Sequence, residues 1–185
     1  MTQEETAEVT HFRSIPWCAA HLSSPNLTIE TPITRFPKPD HEEALMAQTL
    51  NRPDGIAAFT VFYEAPPNPR DILTKVGAFL TLGPMLNGWK GICHGGVVMT
   101  ILDEVCGQLA AINRARGAVE DIIMMTAYLN VKFLGPVRTG TTILVKARLA
   151  KREGRKWFVE GVVEHESGAE LAKAEGLFIQ LKGKL

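Results

Sequence analysis

Two hydrophobic periodicities divide the chain. Between residues 122 and 133, Thr126, Tyr128, Asn130 and Lys132 alternate with Ala127, Leu129, Val131 and Phe133. A period of two sends successive side chains to opposite faces and predicts a half-buried strand. Residues 56–64, 73–82, 141–150, 156–165 and 171–181 are further strand-length apolar runs, bounded by turns rich in Gly, Pro, Asn and Ser. The connections are short, as in Lys151-Arg152-Glu153-Gly154, so neighbouring strands are expected to be antiparallel. One segment differs. Residues 95–113 are apolar at nearly every position and predict a long helix. Gly95-Gly96 opens it, and Arg114-Ala115-Arg116-Gly117 ends it, with basic residues in the last turn and a glycine after them.

The order is strand, strand, long apolar helix, then four strands. It shows no βαβ alternation and no internal repeat. A helix apolar on nearly every side must be covered all round, and an antiparallel sheet curled about it would do so. The expectation is an α+β hotdog fold: a sheet of about six strands wrapped around one central helix. This domain is read as 56–185. Residues 1–55 read as an N-terminal extension, with one or two short helices up to about Leu22 and a packing point at Ile15-Pro16-Trp17-Cys18. An extended connector carrying Pro25, Pro32, Pro37 and Pro39 follows, then a helix over 42–50. The extension would lid a tunnel in the domain or cover a sheet edge.

Composition narrows the function. Lys+Arg and Asp+Glu are equal at 20 each, so the formal net charge is zero and no nucleic-acid partner is implied. Three cysteines without a CxxC pair fit a reducing compartment. No basic start with an apolar run is readable at the N-terminus. No stretch has the ~18 uncharged apolar residues of a membrane span. A cytoplasmic protein is expected. Mitochondrial or peroxisomal placement stays open, since Gly183-Lys184-Leu185 matches the peroxisomal Ser-Lys-Leu address in two of three positions. His11, His21, His41 and His165 have no metal-ligand spacing, and no phosphate loop or dinucleotide fingerprint occurs, so neither metal nor cofactor is expected.

The chemistry gathers on the long helix. Its first amides have no internal partner and carry partial positive charge, and glycine lets a ligand approach them. Such a terminus stabilises the oxyanion formed when an ester or thioester carbonyl is attacked. The competing reading is that Gly95 and Gly96 only let the loop turn. Asp103 is flanked by Ile101, Leu102 and Val105, where a carboxylate is costly unless hydrogen-bonded or functional. It is the candidate acid or base, preferred to Glu104, which lies ~100° round the helix. Asp103 is seven residues beyond Gly96, ~10 Å along the axis. That is too far to act on a carbonyl held at its own terminus. A two-fold homodimer with neighbouring antiparallel helices would complete each site, alone or as a dimer of dimers.

The run His94-Gly95-Gly96 followed by Asp103 resembles the acyl-CoA thioesterases of the hotdog superfamily. The likeness is to the branch of the phenylacetate-pathway thioesterases and thioesterase superfamily members 2 and 4. It runs from about Gly83 to Lys182 and includes Met125-Thr126-Ala127-Tyr128-Leu129-Asn130 and Glu153-Gly154-Arg155-Lys156-Trp157-Phe158-Val159. The resemblance implies hydrolysis of an acyl thioester to acid and thiol, the thiol being coenzyme A or the phosphopantetheine of an acyl carrier protein. It also implies roles. Asp103 would activate or orient water, the Gly95 amide would polarise the carbonyl, His94 would hold the loop and Thr126 would assist from the next strand. Lys132, Arg155 and Lys156 match positions that meet coenzyme A; as plain residues they are equally well solvated strand ends. Gly96 and Trp157 are further candidates for substrate contact, Trp157 with core packing as the equal alternative. Relatives often carry Asn six residues before the histidine. Here that position is Gly88, and Asn87, seven before the histidine, is the candidate to reach the substrate in its place.

Two other readings keep the fold. A dehydratase would pair an acid with a catalytic histidine, for which His94 is the candidate. A non-enzymatic acyl-CoA-binding dimer would have no use for the intact His94-Gly95-Gly96 and Asp103.

Overall fold

A computed structural model describes residues 5–120 and 123–181. Ile122, the expected start of a strand, and the terminal Gly183-Lys184-Leu185 lie outside the described residues. The chain begins with two short helices, α1 (Ala7–Arg13) and α2 (Pro16–His21), then β1 (Leu27–Glu30). The domain follows as β2 (Ile56–Glu64), β3 (Lys75–Leu82), the small hairpin β4 (Asn87–Trp89) and β5 (Ile92–Cys93), and α3 (Gly95–Ala115). It closes with β6 (Met124–Phe133), β7 (Thr141–Glu153), β8 (Lys156–Glu164) and β9 (Glu170–Gln180). One antiparallel sheet runs in the order β1-β2-β3-β7-β8-β9-β6, with α3 on its concave face. This is the hotdog arrangement read from the hydrophobic pattern.

Close packing fixes the helix to the sheet. Ile101, Leu102, Val105, Cys106, Leu109 and Ile112 of α3 are buried with Val145, Ala147, Val159 and Ala174 of the strands. Gly161 shows how close the approach is. A Cβ there would lie 3.0 Å from both Cys106 Sγ and Leu102 Cδ2. A side chain there would force Cys106 and Leu102 to shift.

The seventh strand was not expected. Leu27–Glu30 lies in the proline-marked connector, yet pairs with β2 as the sheet edge. An edge strand forms only one ladder, and Pro25 and Pro32 flank it without interrupting it. The helix expected over 42–50 is also shorter. His41 and Glu43 have φ of 64° and 61°, which a right-handed helix cannot contain, and the helical turn covers only Leu45–Thr49.

The extension does more than supply an edge strand. Phe12, Cys18 and Leu22 bury against Ala58, Phe79 and Leu144 on the outer face of the sheet. Phe79 stacks on Phe62 at 5.2 Å and meets the edge of Trp17 at 5.0 Å between ring centres. β3 is therefore covered on both faces, which explains its near-continuous apolar sequence. Arg35 locks the arrangement. Its guanidinium donates to Glu8 Oε1 at 2.8 and 3.0 Å and to the Ile56 carbonyl at 3.1 Å, while Glu8 Oε2 accepts the Phe59 amide.

Coverage of α3 is incomplete, contrary to the expectation from its composition. Gly96, Met99, Asp103, Gly107 and Ala111 follow helical spacing and stay exposed or half-buried. Beside this stripe runs β6, the other sheet edge, with Met125, Tyr128 and Phe133 44–50% exposed. By length and composition α3 would also suffice to cross a membrane, but its buried side is spent on the sheet.

Candidate active site

The start of α3 is organised by His94. The residue is extended (φ −61°, ψ 134°), and its Nδ1 accepts the Gly96 amide at 2.9 Å. Its carbonyl accepts the amides of Val97 and Val98, and its own amide donates to the Leu86 carbonyl at 2.8 Å. Gly95 is then the exception. Among the described residues its N–H has no acceptor, and with no Cβ it is open to a ligand apart from the Phe133 ring nearby. The terminus thus retains one unspent donor, placed by the capping of its neighbours. Gly96, read from the sequence as a substrate contact, has its amide committed to His94.

Gly88 explains the missing asparagine. A Cβ at Gly88 would sit 2.8 Å from His94 Cα, so only glycine fits beside the histidine. Asn87 pairs with Cys93 across the hairpin, and its Oδ1 accepts from Thr139 Oγ1 at 2.6 Å.

Asp103 and Thr126 meet. Thr126 Oγ1 donates to Asp103 Oδ1 at 2.8 Å. A bulge produces this contact. Thr126 pairs with Phe178 but Tyr128 with Leu177, so one extra residue is accommodated between them. Thr126 and Tyr128 therefore no longer share a face, and the strict alternation expected for this strand breaks at Thr126.

Beside Asp103 lies a cavity of about 270 Å³. Asp103, Glu104, Gln108, Thr126 and Trp157 line it, with Thr34 and Glu43 supplied by the extension. Trp157 is buried, and the Arg152 guanidinium lies over its ring at 5.4 Å. The sequence favours Asp103 over Glu104, yet Glu104 is the carboxyl held by two neighbours. Its Oε1 accepts from Thr34 Oγ1 at 2.6 Å and Gln108 Nε2 at 2.7 Å. Burial pushes its pKa up, against these two hydrogen bonds, and the charges of Glu43 and Asp103 push the same way. The Glu104-to-Gln108 spacing of four was legible in the sequence; the Thr34 contact, 70 residues away, was not.

The basic candidates do not form one cluster within the chain. Lys156 pairs with Ile179 and Lys132 with Lys173. Those rows are six residues apart along β9, about 20 Å at strand rise. Arg155 Nη1 donates to the Gln180 carbonyl at 2.7 Å, beside Lys156.

Residues 90–172 match the sequence model of the thioesterase superfamily. That stretch holds β5, α3 and strands β6 to β8 of the hotdog fold. The bovine acyl-coenzyme A thioesterase THEM4 is 34% identical over 149 residues, covering 78% of this chain and 56% of that protein. The chain thus spans little more than half the length of this relative. Verlamelin biosynthesis protein B of a Lecanicillium species is 28% identical over 164 residues, with 73% and 71% covered. Among solved structures, the BH2602 protein of Bacillus halodurans with CoA superposes with a TM-score of 0.50 at 28% identity. It covers 59% of this chain and 68% of that one.

Proposed function

We propose that the protein hydrolyses acyl-coenzyme A thioesters as a homodimer, each site shared between two chains. The observation that carries the reading is the pairing of an unspent Gly95 N–H with a carboxylate held by Thr126, both on α3 but eight residues apart. Eight residues are about 12 Å along the axis, too far for one carbonyl to meet both. The open stripe of α3 and the exposed edge of β6 offer the surface on which a second copy would dock, its helix antiparallel to the first.

In that dimer the thioester oxygen accepts the Gly95 N–H, reinforced by the positive end of α3. The Asp103 carboxylate of the facing chain keeps Oδ1 on Thr126 and offers its other oxygen to water. Water attacks the carbonyl carbon while Asp103 takes its proton. The tetrahedral intermediate collapses, the carbon–sulfur bond breaks, and the thiolate leaves with the proton that Asp103 returns, which restores the carboxylate. His94 holds the loop in this scheme. Arg155 and Lys156 are the chain's paired cations for coenzyme A phosphates, with Lys132 serving a separate position. The relation to THEM4, named as an acyl-coenzyme A thioesterase, and to a Bacillus protein solved with CoA supports coenzyme A as the thiol.

Thiol release from an acyl-CoA panel tests the reading. Asp103→Asn should lose at least about a hundredfold in kcat; full turnover in that variant would sink it. Sharing is tested by mixing Asp103→Asn with Gly95→Pro protomers. Random pairing leaves about one quarter of the sites intact if each is built from two chains, and none if each belongs to one.

A further inference from the structure

The cavity beside Asp103 is chemically unlike a hydrocarbon tunnel. Glu104 and Gln108 line it together, and Glu104 Oε1 is already doubly bonded, to Thr34 and Gln108. Among the described residues Glu104 Oε2 has no hydrogen-bond partner, and it is not sealed from solvent. An alkyl chain placed here would strip water from the carboxyl and leave that oxygen unanswered. A hydroxyl donates to the unpaired carboxyl oxygen and so replaces the water that the carboxyl loses. The volume, about 270 Å³, lies just below the ~300–1,000 Å³ of drug-sized pockets, which favours a short group.

We infer that the acyl group preferred by this protein is short and carries a hydroxyl, read by Glu104 with Gln108 in support. The inference rests on the hydrolase reading and deepens it. It also gives the N-terminal extension a part in selectivity, because Thr34 sets the orientation of Glu104. Glu104 acts on the acyl group and takes no part in the proton transfer assigned to Asp103.

Matched pairs of thioesters test it: 3-hydroxybutyryl-CoA and 4-hydroxybutyryl-CoA against butyryl-CoA, by kcat/KM with the wild type. Binding of the same three to the Asp103→Asn protein is measured by calorimetry. A site built to hydrogen-bond a hydroxyl rejects the analogue lacking it, and a preference of at least about tenfold for one hydroxyacyl thioester is expected. Glu104→Leu should bring that ratio near unity, and Gln108→Leu should lower it if the first variant does not fold. Equal rates and equal binding across the set overturn the inference while leaving the hydrolase reading intact. Tighter hydroxyacyl binding with no turnover of any thioester by the wild type supports the selectivity and removes the hydrolase reading.

Discussion

Replacing Gly95 by proline removes one hydrogen-bond donor and little else. Proline lacks the N–H and fixes φ near the helical value, and the first helical position is where proline is best tolerated. The residue before proline must be extended, and His94 already is, at φ −61° and ψ 134°. The added Cβ meets only the Phe133 ring, 3.4 Å away, and that ring is half exposed and has room to move. Folding stability should therefore change by no more than about 1 kcal/mol, with a gain from the stiffened unfolded chain offsetting the contact. Catalysis should not be spared. Loss of one oxyanion-hole donor costs about 10²–10³ in kcat, or roughly 2.7–4 kcal/mol of transition-state stabilisation. Gly95→Ala is the matched control, since it adds the same Cβ and keeps the N–H; its kcat should stay within about threefold of the wild type. The assay is steady-state thiol release at saturating acyl-CoA, with thermal unfolding of each variant alongside. If Gly95→Pro folds normally and turns over as fast as Gly95→Ala, the Gly95 amide does not hold the oxyanion.

Thr126→Val removes the bond to Asp103 Oδ1 and should lower kcat about 5–30-fold, while Thr126→Ser restores it; the half-exposed site keeps the loss below that of a fully buried charged hydrogen bond. Gly88→Ala forces His94 aside from a 2.8 Å contact, and thermal unfolding should report a loss of about 1–3 kcal/mol together with weakened turnover. Arg35→Met leaves Glu8 without its buried partner and should cost about 3–5 kcal/mol in urea unfolding; a midpoint unchanged from wild type would show that the extension is not locked there. Burial, with the charges of Glu43 and Asp103 beside it, makes Glu104 hold its proton more tightly folded than unfolded, against the hydrogen bonds from Thr34 and Gln108. Stability relative to Glu104→Gln should therefore be greatest below the ordinary carboxyl value of 4.5 and fall as pH rises above it. A difference that is flat or rises with pH in denaturant titrations contradicts that sign.

Several parts of the site were legible before folding because they are local. His94, Gly95 and Gly96 are consecutive, and the capping that spends every early amide but that of Gly95 is confined to five residues. The eight residues from Gly95 to Asp103 are a length along one helix. Thr126, by contrast, reaches Asp103 across 23 residues, and only a bulge brings it to the helix side. The role of Glu104 is not legible locally, because its neighbours in sequence say nothing of Thr34. The three basic candidates looked like one group in a string of letters, but strand register puts about 20 Å between two of them.

What the sequence determined by itself, then, was set by period: seven runs of the right length, one of them helical throughout, admit a sheet around a helix. It also carried the unusual helix terminus and the carboxylate below it. The tertiary structure alone decided what is near what. Register, a single-residue bulge and the return of the N-terminal segment onto the sheet brought Thr34, Glu104 and Trp157 around one cavity. The same folding left a stripe of α3 bare. Such outcomes depend on contacts between residues far apart in the chain, and no local pattern of hydrophobic and polar positions encodes them.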